Sequence, residues 1–202
     1  MDYGMKFVDS DKSDYLEGHF LVAMPGMEDE RFSKAVIYIC AHNAEGAMGF
    51  VVNQTQDLRF RDLLVQLDII KHEDTIRLPE RTLGLPVHNG GPVERSRGFV
   101  LHSGDYTVES SMCVNNAVYL TATIDILRDI SNGIGPKRAL MVLGYAGWTA
   151  GQLENEIAMN GWLTCEATPS LIFDHDVSNK YEAVLASAGI DPLHLSVSAG
   201  HA

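Results

Sequence analysis

The run "RALMVLGYAGWTAGQLENEIAMNGWLTCEA", residues 138–167, changes its hydrophobic period twice. "RALMVLGY" is almost continuously apolar, the pattern of a strand covered on both faces. Thr149 and Gln152, three apart, fit a capping box that opens a helix over 149–160, with Ala150, Leu153 and Ile157 as its apolar stripe. Gly161, directly after Asn160, is a helix stop, and "WLTCEA" returns as a strand. The unit is strand, short helix, strand, with both tryptophans of the chain, Trp148 and Trp162, at its two turns.

Upstream, "HFLVAMP" reads as a strand ended by Pro25, and "GMEDERFSK" has turn and helix-start character. "AVIYICAH" and "AMGFVVN" form a hairpin bent at "NAEG". "FRDLLVQLD" places Phe60, Leu63, Leu64 and Leu67 on one helical face, while residues 68–85 lack a period and read as a loop with some extended structure. "PVHNGGPVERSRGFVLHS" is strand, glycine turn, strand, and "AVYLTA" adds another strand. Thr123 is positioned as N-cap of a short helix carrying Ile124, Leu127 and Ile130 and closed by Gly133. Tyr181, Val184, Leu185 and Ala188 mark one more helix, ended by Gly189, and "DPLHLS" a last turn. Hairpins and helical connections alternate without a regular βαβ period, and no repeat or linker divides the chain. The pattern predicts an α+β protein: a flexible arm over 1–17, then a single domain over 18–202 with a mixed, largely antiparallel sheet and several peripheral helices.

Composition narrows the function. At 202 residues and 46% hydrophobic, the chain supports one well-buried core. A net charge of −12, with no concentrated Lys/Arg patch to offset it, opposes a polyphosphate backbone, so direct nucleic-acid binding is not expected. "GPKR", residues 135–138, is the only compact basic spot, and it reads as a loop. Cys40, Cys113 and Cys165 have no CxxC spacing and cannot all pair, which fits reduced thiols in the cytosol. "MDYGMKFVDSDKSDYLEG" lacks the apolar core of an export signal, and no stretch is long and apolar enough to span a bilayer.

Several long motifs, in order along the chain, resemble one known family. "GHFLVAMPGMEDERFSKAVIYICAHNAEGAMGFVVN", "HNGGPVERSRGFVLHS", "ALMVLGYAGWTAGQLENEIAMNGWL" and "GIDPLHLS…AGHA" are similar to the YqgE/AlgH family of bacterial proteins, over about residues 17–202. The resemblance implies that family's single-domain mixed fold. It carries a label of transcriptional regulation but no assigned reaction, so no catalytic residue transfers with it.

The residues themselves offer several candidate sites. The turn after "GYAGW" offers backbone N–H groups to a carboxylate or phosphate, with Tyr145 and Trp148 to stack on a planar ligand and Gln152 and Asn160 to orient it. Gly144, Gly147 and Gly151 equally serve close backbone packing, and that structural reading is favoured. Asn89, Gly90 and Gly91 bring bare amides toward an anion, although an ordinary turn before Pro92 uses the same residues. In "LHSGD", residues 101–105, His102 and Ser103 point to opposite faces of a strand, against a hydrolase triad. Cys40 and His42, two apart, are expected to share a strand face, the basis of an alternative reading as a thiol-dependent transferase or hydrolase. Asp174, His175 and Asp176, with His88 and His102, are the weak metal candidates; no metal is expected, and with GxGxxG and P-loop spacing absent, no cofactor. The expected ligand set is therefore Asn89, Gly90, Gly91, His102, Tyr145, Trp148, Gln152 and Asn160, around a shared polar hollow. The expected protein is a non-enzymatic binding or regulatory one, monomeric or homodimeric, acting through a partner protein or a small anionic ligand.

Overall fold

The computed structural model describes residues 15–195. Its strands are β1 (His19–Ala23), β2 (Val36–Asn43), β3 (Gly46–Val51), β4 (Thr55–Arg59), β5 (Pro86–Asn89), β6 (Val93–Ser103), β7 (Met112–Asn115), β8 (Val118–Thr121), β9 (Ala139–Thr149) and β10 (Trp162–Glu166). The helices are α1 (Phe60–Gln66), α2 (Glu80–Leu83), α3 (Ile124–Ser131), α4 (Gln152–Ala158), α5 (Pro169–Phe173) and α6 (Lys180–Ser187). The main sheet runs β10-β1-β2-β3-β9-β6-β8-β7, and every neighbouring pair in it is antiparallel. β5 joins β9 in parallel and carries β4 on its outer edge. This is the mixed, largely antiparallel α+β architecture that the sequence predicts.

β9 is the branch point. Its first half is flanked by β5 on one edge and β6 on the other, with Met141 opposite both Val87 and Val100. Its second half pairs with β3, Ala146 opposite Gly49 and Thr149 opposite Gly46. Between the halves Gly144 takes a left-handed φ of 72°. The chain from β5 to β6 must pass from one edge of β9 to the other, and it does so at this joint. The Gly90 N–H donates to the Leu143 carbonyl (2.8 Å), and Val93 then pairs with Tyr145. A Cβ on Gly90 would lie 2.3 Å from the Gly144 oxygen, and one on Gly91 2.2 Å from the Tyr145 carbonyl carbon. The Asn-Gly-Gly turn thus exists so that two backbones can cross in contact.

Both faces of the sheet are covered, which explains the unbroken apolar runs. Phe20, Tyr38 and Phe50 face one core together with Leu171, Tyr181 and Leu185 from α5 and α6. Leu21, Ile37 and Ile39 alternate to the opposite face and pack with Trp148, Leu153 of α4 and Trp162. A third cluster joins α1 and α3 to the other half-sheet through Phe60, Leu64, Val87, Val100 and Ile126. On α6 the charged Lys180 is itself fully buried, its Nζ donating to the Ile172 carbonyl.

Local details differ from expectation in four places. Residues 68–85 contain a 3-10 turn, His72–Arg77, and the single turn of α2. Thr123 flanks α3 with extended backbone but makes no side-chain cap, and Ile126 rather than Ile124 completes the buried stripe, because α3 rotates its first residue outward. β9 runs through Thr149, so the capping box does not start the helix there; α4 begins at Gln152 after a left-handed Gly151. Of the expected box only the return half exists: the Thr149 N–H donates to Gln152 Oε1 (3.0 Å). Finally, Tyr15 and Leu16 of the expected arm pack on the domain. Tyr15 meets the His42 ring edge-on at 5.1 Å, and the Leu16 N–H donates to His42 Nδ1 (3.0 Å). Residues 1–14 of that arm, and the terminal "AGHA", lie outside the described residues.

Candidate functional site

Three strands separate β9 from β10 in the sheet, yet their tryptophans meet. The sheet curls until the Trp148 and Trp162 rings stand edge to face, 6.0 Å apart. Glu156 of α4 closes the curl. Both indole N–H groups donate to its Oε2, each at 2.8 Å, and Gln152 Nε2 donates to its Oε1 at 2.9 Å. Helical geometry explains the placement, since Gln152 and Glu156, four apart, lie on one face of α4. The helix ends in a Schellman motif, with Asn160 in the left-handed position (φ 58°) and the Gly161 N–H donating to the Glu156 carbonyl (2.8 Å). That sharp reversal is what delivers Trp162 to the same carboxylate.

Above this floor opens a cleft of about 560 Å³. Its walls are Met27, Phe32 and Met159 with the buried tryptophans, and its polar lining includes Glu28, Asp29, Arg31, Gln152, Glu156 and Asn160. Phe32 packs edge-on against Trp162 at 5.6 Å, and Met159 is 74% exposed at the rim. Arg31 is committed to Asp29 through a two-pronged pair, Nε to Oδ1 at 2.9 Å and Nη2 to Oδ2 at 2.6 Å. The guanidinium holds the Asp29 carboxyl below the usual carboxylate range. Three carboxylates therefore face one neutralised cation, and the cleft is net negative. This corrects the expectation of an anion at the turn after β9. The Thr149 N–H there is already satisfied, and the surrounding carboxylates repel a carboxylate or phosphate.

Of the expected ligand residues, Trp148, Gln152 and Asn160 line this cleft. Asn89 and Gly91 line a second hollow of about 230 Å³ that shares Arg31 and Pro92 with the first. The bends near Gly91 and Trp148 thus border two adjoining hollows, not the one shared hollow that the sequence predicts. Gly90 is enclosed by Gly144 and Phe50 instead. Tyr145 lies on the opposite face of β9 from Trp148, packed against Phe99 at 6.1 Å, because alternate strand residues point apart. His102 is buried far along β6, accepting from Thr121 Oγ1 (2.8 Å) and donating from Nδ1 to the Ser103 carbonyl (3.0 Å). The residue sequence reasoning missed is Glu156. Its only signal was the i, i+4 spacing to Gln152, which does not reveal that two distant indoles need an acceptor.

The other candidates separate. A β-bulge lies at Cys40: Ile39 pairs with Gly49 and Ala41 with the adjacent Met48, leaving Cys40 unopposed. The extra residue turns His42 to the face of α4, where its Nε2 donates to Glu154 Oε1 (2.9 Å), while Cys40 points into the opposite core. The expected thiol–imidazole pair does not form, and burial pushes the Cys40 thiol well up. Ser103 Oγ donates to Asp105, not to His102. Asp174 pairs with Arg138 at 3.4 Å, and among the described residues no three His, Cys, Asp or Glu side chains gather in a metal-binding arrangement. Cys40, Cys113 and Cys165 are all unpaired. No helix among the described residues is long and apolar enough to cross a membrane.

Glu156→Ala is expected to lower stability by about 1–3 kcal/mol, because it strands two indole N–H donors. The same variant should shift tryptophan emission as both rings lose their common anchor. Unchanged emission and unfolding midpoint would show that the carboxylate does not hold the two rings.

These features define a single α+β domain with a branched, curled sheet clasped by one helix. The AlgH-like family model matches residues 20–193, and the chain belongs to that family. It is 63% identical over 188 residues to a UPF0301 protein of Mesorhizobium japonicum, covering 93% of each chain. It is 56% identical over 193 residues to one of Brucella abortus, covering 96% of each. Among solved structures it is similar to the solution structure of the AlgH protein from Pseudomonas aeruginosa, with TM-score 0.76 and 38% identity over 96% of this chain and 100% of that one. The crystal structure of DIP2367 from Corynebacterium diphtheriae shares the fold, with TM-score 0.69 at 20% identity over 92% of this chain and 94% of that one.

Proposed function

We propose that this is a cytosolic, non-enzymatic binding protein whose tryptophan cleft receives a segment of a partner protein, and that any regulatory role runs through that contact rather than through DNA. The observation that carries the reading is the contrast between floor and rim. The floor is locked by one carboxylate holding two indoles and an amide. The rim is made of Met27 and the exposed Met159, soft side chains that adapt to different apolar groups. A preorganised base with an adaptable rim suits a protein segment. Glu28, Asp29 and Glu156 favour an occupant carrying Lys or Arg beside an apolar residue, and they disfavour a phosphate backbone. The unpaired thiols fit a reducing compartment.

The test is selection from a displayed random peptide library. Enriched peptides should carry a basic residue next to an apolar one, perturb tryptophan emission, and lose affinity for the Met159→Lys variant, which replaces the apolar rim with a like charge. Enrichment indifferent to Met159→Lys would place binding elsewhere. Turnover of a metabolite by the purified protein would overturn the non-enzymatic reading.

A further inference from the structure

Unlike the cleft beside it, the second hollow sets one uncommitted cation, Arg95, against a single carboxylate, Glu30. It is lined by Glu30, Arg31, Gln54, Asn89, Pro92 and Arg95, with Gly91 at its base. The arginines around it are mostly committed. Arg31 is held by Asp29, and Arg97 pairs with Glu94 at 3.1 Å while covering the Phe99 ring at 5.1 Å. Arg95 is different: among the described residues its guanidinium has no carboxylate within ion-pair distance, Glu30 included, and its side chain makes no hydrogen bond. The Asn89 side-chain amide, on the same wall, is likewise free of protein partners among the described residues. The hollow thus places an uncommitted guanidinium and an uncommitted amide where both can donate to one anion.

The crossing of β5 over β9 explains why these groups sit there. Gly90 and Gly91 lie so close to the backbone of Gly144 and Tyr145 that neither has room for a Cβ, and Asn89 and Pro92 flank that contact. Pro92 and Arg31 form the partition shared with the tryptophan cleft. A ligand spanning both therefore has an apolar and basic portion on one side of Pro92 and an anionic end on the other. A peptide's C-terminus has that distribution, with a free carboxylate following the last side chains; an internal acidic side chain has it too, and would bind equally with or without a free terminus.

We propose that the Arg95–Asn89 hollow is an oxyanion site that takes the C-terminal carboxylate of the segment whose side chains fill the tryptophan cleft. The proposal rests on the cleft reading given above and adds the terminus and its two receptors. Arg95 supplies the forked, charge-assisted donors and Asn89 a neutral one.

The experiment displays one randomised peptide library twice, once ending in a free carboxylate and once ending in an amide, against the intact protein and its Arg95→Gln variant. Free-acid peptides should dominate the enriched pool. Arg95→Gln should weaken them at least about tenfold while leaving amidated peptides unchanged, and Arg95→Lys should restore only part of the loss because it keeps charge without the fork. Arg95 is exposed, so an unaltered unfolding midpoint will show that the variants fold. Equal enrichment of acids and amides, insensitive to Arg95, overturns the terminus while leaving the cleft reading intact. Enrichment of neither overturns the cleft reading itself. A third arm adds inorganic phosphate alone: saturation of the Arg95 side-chain resonances at low concentration, with no preference for free-acid peptides, overturns the peptide source in favour of a free anion.

Discussion

Replacing Gly91 by alanine is expected to leave little or no folded protein, at a cost above about 4 kcal/mol, the range reached only when a core or backbone contact is broken outright. The new Cβ would sit 2.2 Å from the Tyr145 carbonyl carbon, 2.3 Å from its oxygen and 2.4 Å from the Ala146 nitrogen. All three are backbone atoms of the central strand, so no rotamer change relieves the clash. Gly91 also holds a φ of 151°, which side chains rarely adopt. Gly144→Ala should be comparably damaging, with left-handed φ and the Gly91 oxygen 2.6 Å from its Cβ. Gly151→Ala is the control. Its φ of 73° is also left-handed, yet nothing lies within 4 Å of the added methyl, so the cost should be about 1–2 kcal/mol from conformation alone. Soluble yield and urea midpoints of the three variants read the difference. A folded, near-normal Gly91→Ala protein would mean the two backbones do not cross in contact.

The second large effect is acid sensitivity. His88, 1% exposed on β5, donates from Nδ1 to the Met141 carbonyl (3.3 Å), and its Nε2 has no partner among the described residues. Burial, reinforced by the positive Lys180, lowers its pKa from 6.5 to about 4. The unfolded chain therefore takes up this proton first. The contribution is fully present above pH 6.5 and is lost as pH falls toward 4, by up to about 3 kcal/mol at 1.36 kcal/mol per unit. His88→Leu should reduce the pH dependence of stability across that window relative to the parent, leaving the contributions common to both, from the carboxylates and from His102, whose pKa burial also lowers. Lys180 works in the opposite pH range. Burial lowers it from 10.5 to about 8, with Asp174 opposing, so its charge penalises folding fully below pH 8 and progressively less toward 10.5. Lys180→Met is expected to stabilise the protein at neutral pH by on the order of 2 kcal/mol and to raise the His88 pKa by removing a like charge. Parallel pH dependences for parent and His88→Leu would show that His88 does not titrate as a buried group.

Much of the fold was legible because its signals are local. The unbroken apolar runs in "HFLVAMP" and "AVIYICAH" mark strands, and Phe20 and Leu21 point into separate cores on the two faces. The glycine after Ala188 and the reversal at Asn160–Gly161 end helices where expected. Local reasoning failed wherever one extra residue or one distant partner decided the outcome. Two-residue spacing implied a Cys40–His42 pair, but a single bulged residue reverses the face. Thr149 matched a capping box, yet pairing with Gly46 keeps it in the strand, and ladder hydrogen bonds outweigh an isolated cap.

The candidate site shows the same division. That Trp148, Gln152 and Asn160 belong near one another follows from a strand, a short helix and a tight stop in succession, and periodicity alone specifies those. That a single Glu156 oxygen satisfies two tryptophans from strands separated by three others is a consequence of sheet curl, which no neighbouring residue encodes. The meaning of Asn89-Gly90-Gly91 likewise required the second backbone passing beneath it. Sequence determined the elements and their buried faces, since these depend on chain-local period and conformational preference. Only the tertiary structure decided which polar groups found partners, giving Glu156 three donors and Arg95 no partner among the described residues, because hydrogen bonds and charge pairs depend on distances that the chain sets only once it is folded.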